Sequence, residues 1–231
     1  QDLLPGPISA VDAAPRLVRA DNLVKDFDSG HGPRRVLDGI SFSVGMGDRM
    51  AILGRNGAGK STLIKILAGV ELPTAGRIYR GLNMSWPLAL GGGFEGQMTG
   101  YDNCRFIAKL YNVPLKETVE YVADFTELGS QLFMQVRFYS DGMRARLAFA
   151  LSLAVDFECY LIDEVILVGD RRFQLRCQDE LLVKRKHCAM LMAIHSTEFA
   201  KDFCNSALVL KQGRGRVFYD LDLASDIYAT L

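Results

Sequence analysis

The residues 54-GRNGAGKST-62 constrain the fold more than any other stretch. They follow a short apolar run, 50-MAIL-53, and precede 63-LIKIL-67, whose Leu63, Ile66 and Leu67 share one helical face. Strand, glycine-rich turn and helix in this order match G-x-x-x-x-G-K-[ST] at Gly54, Gly59, Lys60 and Ser61. Glycines allow a tight turn whose successive N–H groups, including those at Asn56 and Gly57, point inward at an anion. The following helix adds its positive N-terminal end. The pattern predicts a cradle for a nucleotide phosphate chain. Lys60 supplies a full charge, Ser61 a ligand for Mg2+, and Thr62 a phosphate hydrogen bond.

A second element fits the first. The apolar strand 158-ECYLI-162 ends in Asp163 and Glu164. A strand tip puts Asp163 beside the phosphate loop, where it can hold Mg2+ through water. Glu164 points elsewhere and can act as general base on an attacking water.

Composition narrows the class further. Lys+Arg and Asp+Glu both number 27 in 231 residues, so the formal charge is zero, which argues against a nucleic-acid partner. Five cysteines, an odd number without a C-x-x-C pair, favour a reducing compartment over disulfides or zinc. The longest apolar candidate, 147-LAFALSLAV-155, is about half of the roughly 18 to 20 residues that span a bilayer, and it reads as a buried helix. The opening 1-QDLLPGPISAVDAAP-15 lacks the basic and apolar regions of a signal peptide.

Along the chain, residues 1–15 read as an irregular arm and 16–53 as three strands. A helix over 60–69 and a strand over 76–80 follow. The Gly-rich 91-GGGFEGQMTG-100 reads as a loop, and helices follow at about 101–112, 115–128 and 142–155. Strand and helix then alternate: 158–162, a helix over 171–186, 189–194, a helix near 197–204, and 206–210. The plan is a single α/β domain over 16–231, with its core at about 16–81 and 157–231 and a helical subdomain inserted at about 82–156.

These residues together resemble an ABC transporter ATPase from about residue 16 onward. The resemblance implies a P-loop NTPase core with a mixed sheet and an N-terminal antiparallel β portion. In that family a motif, usually L-S-G-G-Q, opens a helix and clamps the γ-phosphate held by a partner subunit. Here 139-YSDGM-143 stands about 20 residues before Asp163–Glu164, and Ser140 and Gly142 match the contacting positions. By the same resemblance His195 is the switch histidine, Asp170 couples the two sites across a dimer, and Phe27 stacks on adenine. A narrower resemblance is carried by 85-SWPL-88, 92-GGFEGQMTGYDN-103, 138-FYSDGMRARLAFA-150 and 160-YLIDEVILVGDRRF-173. They look like the ATP-binding subunit of capsular polysaccharide exporters.

Three positions depart from the wider family. Leu90 stands near where a Gln usually begins the loop into the helical subdomain, and leucine cannot ligate a metal or orient water. Asp141 occupies a place usually held by Gly or Ser. The segment 165-VIL-167 lacks the usual Pro-Thr.

The resemblance implies ATP and Mg2+ as cofactors and a head-to-tail dimer of this chain with two nucleotides between the copies. It also implies a separate membrane-spanning permease, a lipid-linked polysaccharide as cargo, and a place on the cytoplasmic face of the bacterial inner membrane. Two other classes are weighed against it. A soluble ABC ATPase of DNA repair or translation would bring a coiled coil or a second cassette, and neither is in this sequence. A low-turnover regulatory module would be separated by a turnover assay with Glu164→Gln as control.

Overall fold

The computed structural model describes residues 15–28, 30, 32–88, 96–163 and 170–231. Two sheets organise it. Strands β1 (Leu17–Asp28), β2 (Pro33–Gly45) and β4 (Ala75–Arg80) form an antiparallel sheet with β1 in the middle. The second sheet contains β3 (Arg49–Gly54), β5 (Cys159–Asp163), β6 (Ala189–Ala193), β7 (Ser206–Lys211) and β8 (Arg214–Phe218). Its order is β5-β6-β3-β7-β8; the first four strands are parallel and β8 is antiparallel to β7.

The parallel strands are nearly continuous apolar runs because both of their faces are buried. Side-chain alternation divides them between two cores. Ile52, Leu161, Leu191 and Leu208 face the antiparallel sheet, where they meet Val18, Leu23, Leu37 and Ile40. Helix α1 (Lys60–Leu67) lies in this layer and buries Leu63, Ile64, Ile66 and Leu67. On the other face, Leu53, Ile162, Met192 and Val209 join a core with the remaining helices. Arg80 of β4 reaches the far end of α1 and donates to the carbonyls of Leu67 (2.9 Å) and Ile66 (2.7 Å). It thereby satisfies acceptors that the last helical turn leaves unpaired.

The inserted helices are α2 (Gly100–Tyr111), α3 (Leu115–Thr126) and α4 (Asp141–Leu153). Thr99 and Asp102 form a capping box that starts α2. Every residue of α4 from Leu147 to Leu153 is buried, so the apolar run there is core, as its length predicts. No helix of the described residues is long and apolar enough to cross a membrane.

The stretch before α2 is tied to the parallel sheet. Ser85 N–H donates to the Cys159 carbonyl (2.9 Å) and Leu88 N–H to that of Leu161 (3.0 Å). Buried Ser85 accepts from Leu161 N–H through its Oγ at 2.9 Å. Trp86 packs 5.5 Å from Tyr111 and 5.4 Å from Phe157, centroid to centroid. The S-W-P stretch is therefore a seam between the helical part and the outer edge of β5.

Two differences from the sequence reading stand out. The helix expected over 171–186 is α5 (Arg171–Gln178) followed by a π-helical turn, Asp179–Lys184. A buried ion pair closes that turn: Arg185 donates to Glu180 Oε2 at 2.9 Å, to Tyr160 Oη at 3.0 Å and to the Leu153 carbonyl at 2.8 Å. Burial pushes the Glu180 carboxyl up, yet Lys184 and Arg185 hold it below the usual carboxylate range. After α6 (Thr197–Phe203) and β7, the chain adds β8 and α7 (Leu221–Ala229), which the sequence reading does not include. The strand 214-RGRVF-218 carries two arginines and a glycine, so its apolar signal is short.

Gly100 joins two of the quoted stretches. A Cβ there would lie 2.6 Å from Tyr139 Oη and 2.9 Å from the Leu132 carbonyl oxygen. Tyr139 is buried and donates to the Gln131 carbonyl at 2.7 Å. Gly100→Ala should therefore cost about 1–3 kcal/mol, as overpacking does. Urea denaturation of both proteins checks this, and an unchanged midpoint would contradict the packing described.

Candidate nucleotide site

The glycine-rich loop after β3 opens a cavity of about 370 Å3. Asn56, Gly57 and the run Gly59, Lys60, Ser61 and Thr62 line one side; Arg34 and Val36 of β2 line the other. Gly59 has φ 106°, and a Cβ there would fall 2.7 Å from Leu37 Cδ2, so only glycine fits this corner. Lys60 is buried, and its Nζ donates to the Gly54 carbonyl at 2.7 Å, holding the amine inside the loop.

The fold brings Ser61 and Asp163 together across a hundred residues of sequence. Ser61 Oγ donates to Asp163 Oδ1 at 3.3 Å. The register explains why: Asp163 ends β5 opposite Ala193 of β6, and Ala193 pairs in turn with Ile52 of β3. His195 follows two residues after Ala193 and is exposed at the same carboxyl-terminal edge. Ligands of open parallel sheets bind at that edge. A hydroxyl and a buried carboxylate at this distance are the hard oxygen donors Mg2+ uses beside substrate phosphates, so this pair fits the ion. Glu164 and Leu90 lie outside the described residues.

Phe27 stands apart from the cavity wall. The residue is 38% exposed, with Lys25 Nζ 4.7 Å from the ring centroid, and its cross-strand partner is Arg34. The second motif forms a helix start. Ser140 caps α4, its Oγ accepting from Met143 N–H at 3.2 Å. Asp141 points to solvent and pairs with Arg144. Gly142 has no positive φ, and a Cβ there would meet only Ser140 Oγ, at 3.9 Å. Nothing among the described residues requires a glycine at 142.

Asp170 has two partners already. It caps α5 by accepting from Phe173 N–H at 2.9 Å, and it pairs with Arg146 of α4. The Phe173 amide and then Arg146 hold its carboxyl below the usual range. Arg34 and Val36 are the cavity residues that the sequence reading missed. Their signal, an Arg-Arg-Val run in a hairpin before the loop, is non-specific without the strand register.

This is the site of a mononucleotide-binding P-loop protein with an inserted helical part. A family model described as ABC transporter matches residues 37–166. The chain is 48% identical to the capsule polysaccharide export ATP-binding protein CtrD of Neisseria meningitidis, over 93% of this chain and 100% of that one. It is 48% identical to the ATP-binding protein BexA of Haemophilus influenzae, over 92% and 98%. To the polysialic acid transport ATP-binding protein KpsT of Escherichia coli it is 40% identical, over 84% and 88%. A solved ATP-binding subunit of an ABC transporter shares the fold with a TM-score of 0.78 at 22% identity, over 91% and 93% of the two chains. A bacterial ABC transporter cassette solved as a dimer gives 0.73 at 18%, over 87% and 98%. The chain belongs to the ABC transporter family and is an ATPase cassette of it.

Gly142 and Asp141 yield opposite expectations. Gly142→Ala should leave folding intact or add up to about 1 kcal/mol, since alanine is the better helix former. If a second copy closes on this helix start, the same variant loses ATPase activity by tenfold or more. Asp141→Ser should keep or raise activity, because the carboxylate is solvated. Melting curves and phosphate-release assays on both variants check this.

Proposed function

We propose that this protein powers export of a capsular-type polysaccharide across the inner membrane by binding and hydrolysing ATP. The observation that carries the reading is the 48% identity to a capsule export ATP-binding protein along that relative's whole length. The geometry supports the chemical part through the Ser61–Asp163 contact at the mouth of the phosphate loop.

In this reading the loop amides and Lys60 bind the β- and γ-phosphates. Asn56, Gly57, Gly59 and Thr62 complete the cradle, and Phe27 meets the adenine on the ring face away from Lys25. Ser61 and Asp163 hold Mg2+, which neutralises phosphate charge when bound. Glu164 draws the proton from the attacking water, and His195 donates a hydrogen bond toward the γ-phosphate. A second copy lies head to tail, so that Ser140 and the start of α4 approach the nucleotide held by the first. That no described residue needs a glycine at 142 supports close approach there. Hydrolysis removes the anionic bridge between copies and lets them part. Asp170 follows α4 because Arg146 ties the two.

The membrane partner is a separate permease, with a lipid-linked polysaccharide as cargo, and this chain sits peripherally on the cytoplasmic face. Residues 16–231 act as one domain, the helical part over about 82–156 moving against the core, with 1–15 as an arm. Phe106 and Leu110 on α2 and Phe133 and Met134 beyond α3 are exposed. Tyr101, at the start of α2, stacks on Phe133 at 5.6 Å. Exposed apolar side chains of this kind fit a hydrophobic partner surface.

Two experiments test this. In the native host, Lys60→Ala should abolish surface polysaccharide while polymer accumulates inside; normal surface polymer would remove the export reading. Phe106→Glu with Phe133→Glu should release the protein from isolated membranes while basal ATPase activity stays within about twofold. Full membrane retention would place the permease contact elsewhere.

A further inference from the structure

Arg34 stands out in the cavity wall. The next residue, Arg35, is fully engaged: it donates to Asp26 at 2.9 and 3.1 Å and to Asp38 at 3.2 Å. Asp38 also receives Arg214 at 2.9 Å. Asp26 and Asp38 are thus taken up by Arg35 and Arg214, and Asp28 accepts from the Gly30 amide of its own turn. Arg34 lines the phosphate cavity instead, and its guanidinium has no hydrogen bond, ion pair or ring contact with the described residues.

The strand that carries it is not free to drift away. Val36, two residues on, lies against the loop, with its carbonyl oxygen 3.1 Å and its Cγ1 3.5 Å from the Cβ position at Gly59. Across the ladder Arg34 pairs with Phe27. Its backbone is thus fixed between the phosphate loop and Phe27, while its guanidinium is not engaged by any described residue. An arginine in that place is matched by an anion with several acceptor oxygens.

Resting on the ATP-binding reading above, we infer that Arg34 contacts the bound nucleotide at its phosphate–ribose end and sets its affinity. It adds a second fixed cation, from β2, to the one that Lys60 supplies from α1. The hairpin thereby closes over the phosphates from the side opposite the loop.

Isothermal titration of ATP, ADP and adenosine into wild type, Arg34→Ala and Arg34→Lys tests this, at low and at moderate salt. Arg34→Ala should bind ATP and ADP about tenfold more weakly, equivalent to about 1.4 kcal/mol. Its binding should also depend less on salt, adenosine binding should be unchanged, and lysine should restore much of the loss. The side chain is exposed, so the melting temperature serves as a folding control. ATP and ADP affinities within twofold of wild type would overturn the assignment, and so would an equal loss for adenosine, which would locate the effect at the base. Wild type that binds no nucleotide would remove the ATP-binding reading itself, and the assignment with it.

Discussion

The molecule depends on β3 being hydrogen-bonded on both sides. β6 and β7 pair with it in parallel, and its side chains are buried on both faces. A strand so confined cannot slip by one residue without exchanging the contents of two cores. Its last residue, Gly54, therefore starts the phosphate loop from a fixed point. The same ladder sets the ends of β5 and β6 and so brings Asp163 and His195 to one edge. Much of the site is a consequence of register.

The quoted motifs divide into residues that hold the fold and residues that the fold leaves idle. Ser85, Trp86, Gly100 and Tyr139 belong to the first group: each is packed or hydrogen-bonded within the chain. Gly142 belongs to the second. Ser140 does both, since its hydroxyl caps α4 while the helix start faces outward. Asp170 too is committed locally, to the start of α5 and to Arg146. Any role it has toward a second copy is exercised from a position already tied to α4.

The phosphate loop and the acidic strand end were legible because their meaning is local: a few residues of fixed type between a strand and a helix. The helical insertion was legible from apolar periodicity. What stayed hidden depends on pairing at a distance. Arg34 reaches the cavity only because β2 folds back on β1 and sets it opposite Phe27, a pairing that the sequence of the intervening turn does not specify. The π-helical turn arises from the Glu180–Arg185 pair with Tyr160, two elements apart in sequence. β8 was missed because an antiparallel edge strand can be short and charged and still pair well.

Arg80 gives the small helix α1 an unusual setting. Backbone dipoles sum along a helix, so cations favour its last turn and anions its first. Arg80, a residue of the antiparallel sheet, holds the last turn, and the phosphate cradle surrounds the first. One eight-residue element is thus polarised between two layers of the protein, like a bar magnet with a keeper on one pole. The dipole acts within about one turn of each end, so each pole is served by its own neighbours. The antiparallel layer thus anchors the helix at one end and leaves the other free to meet an anion.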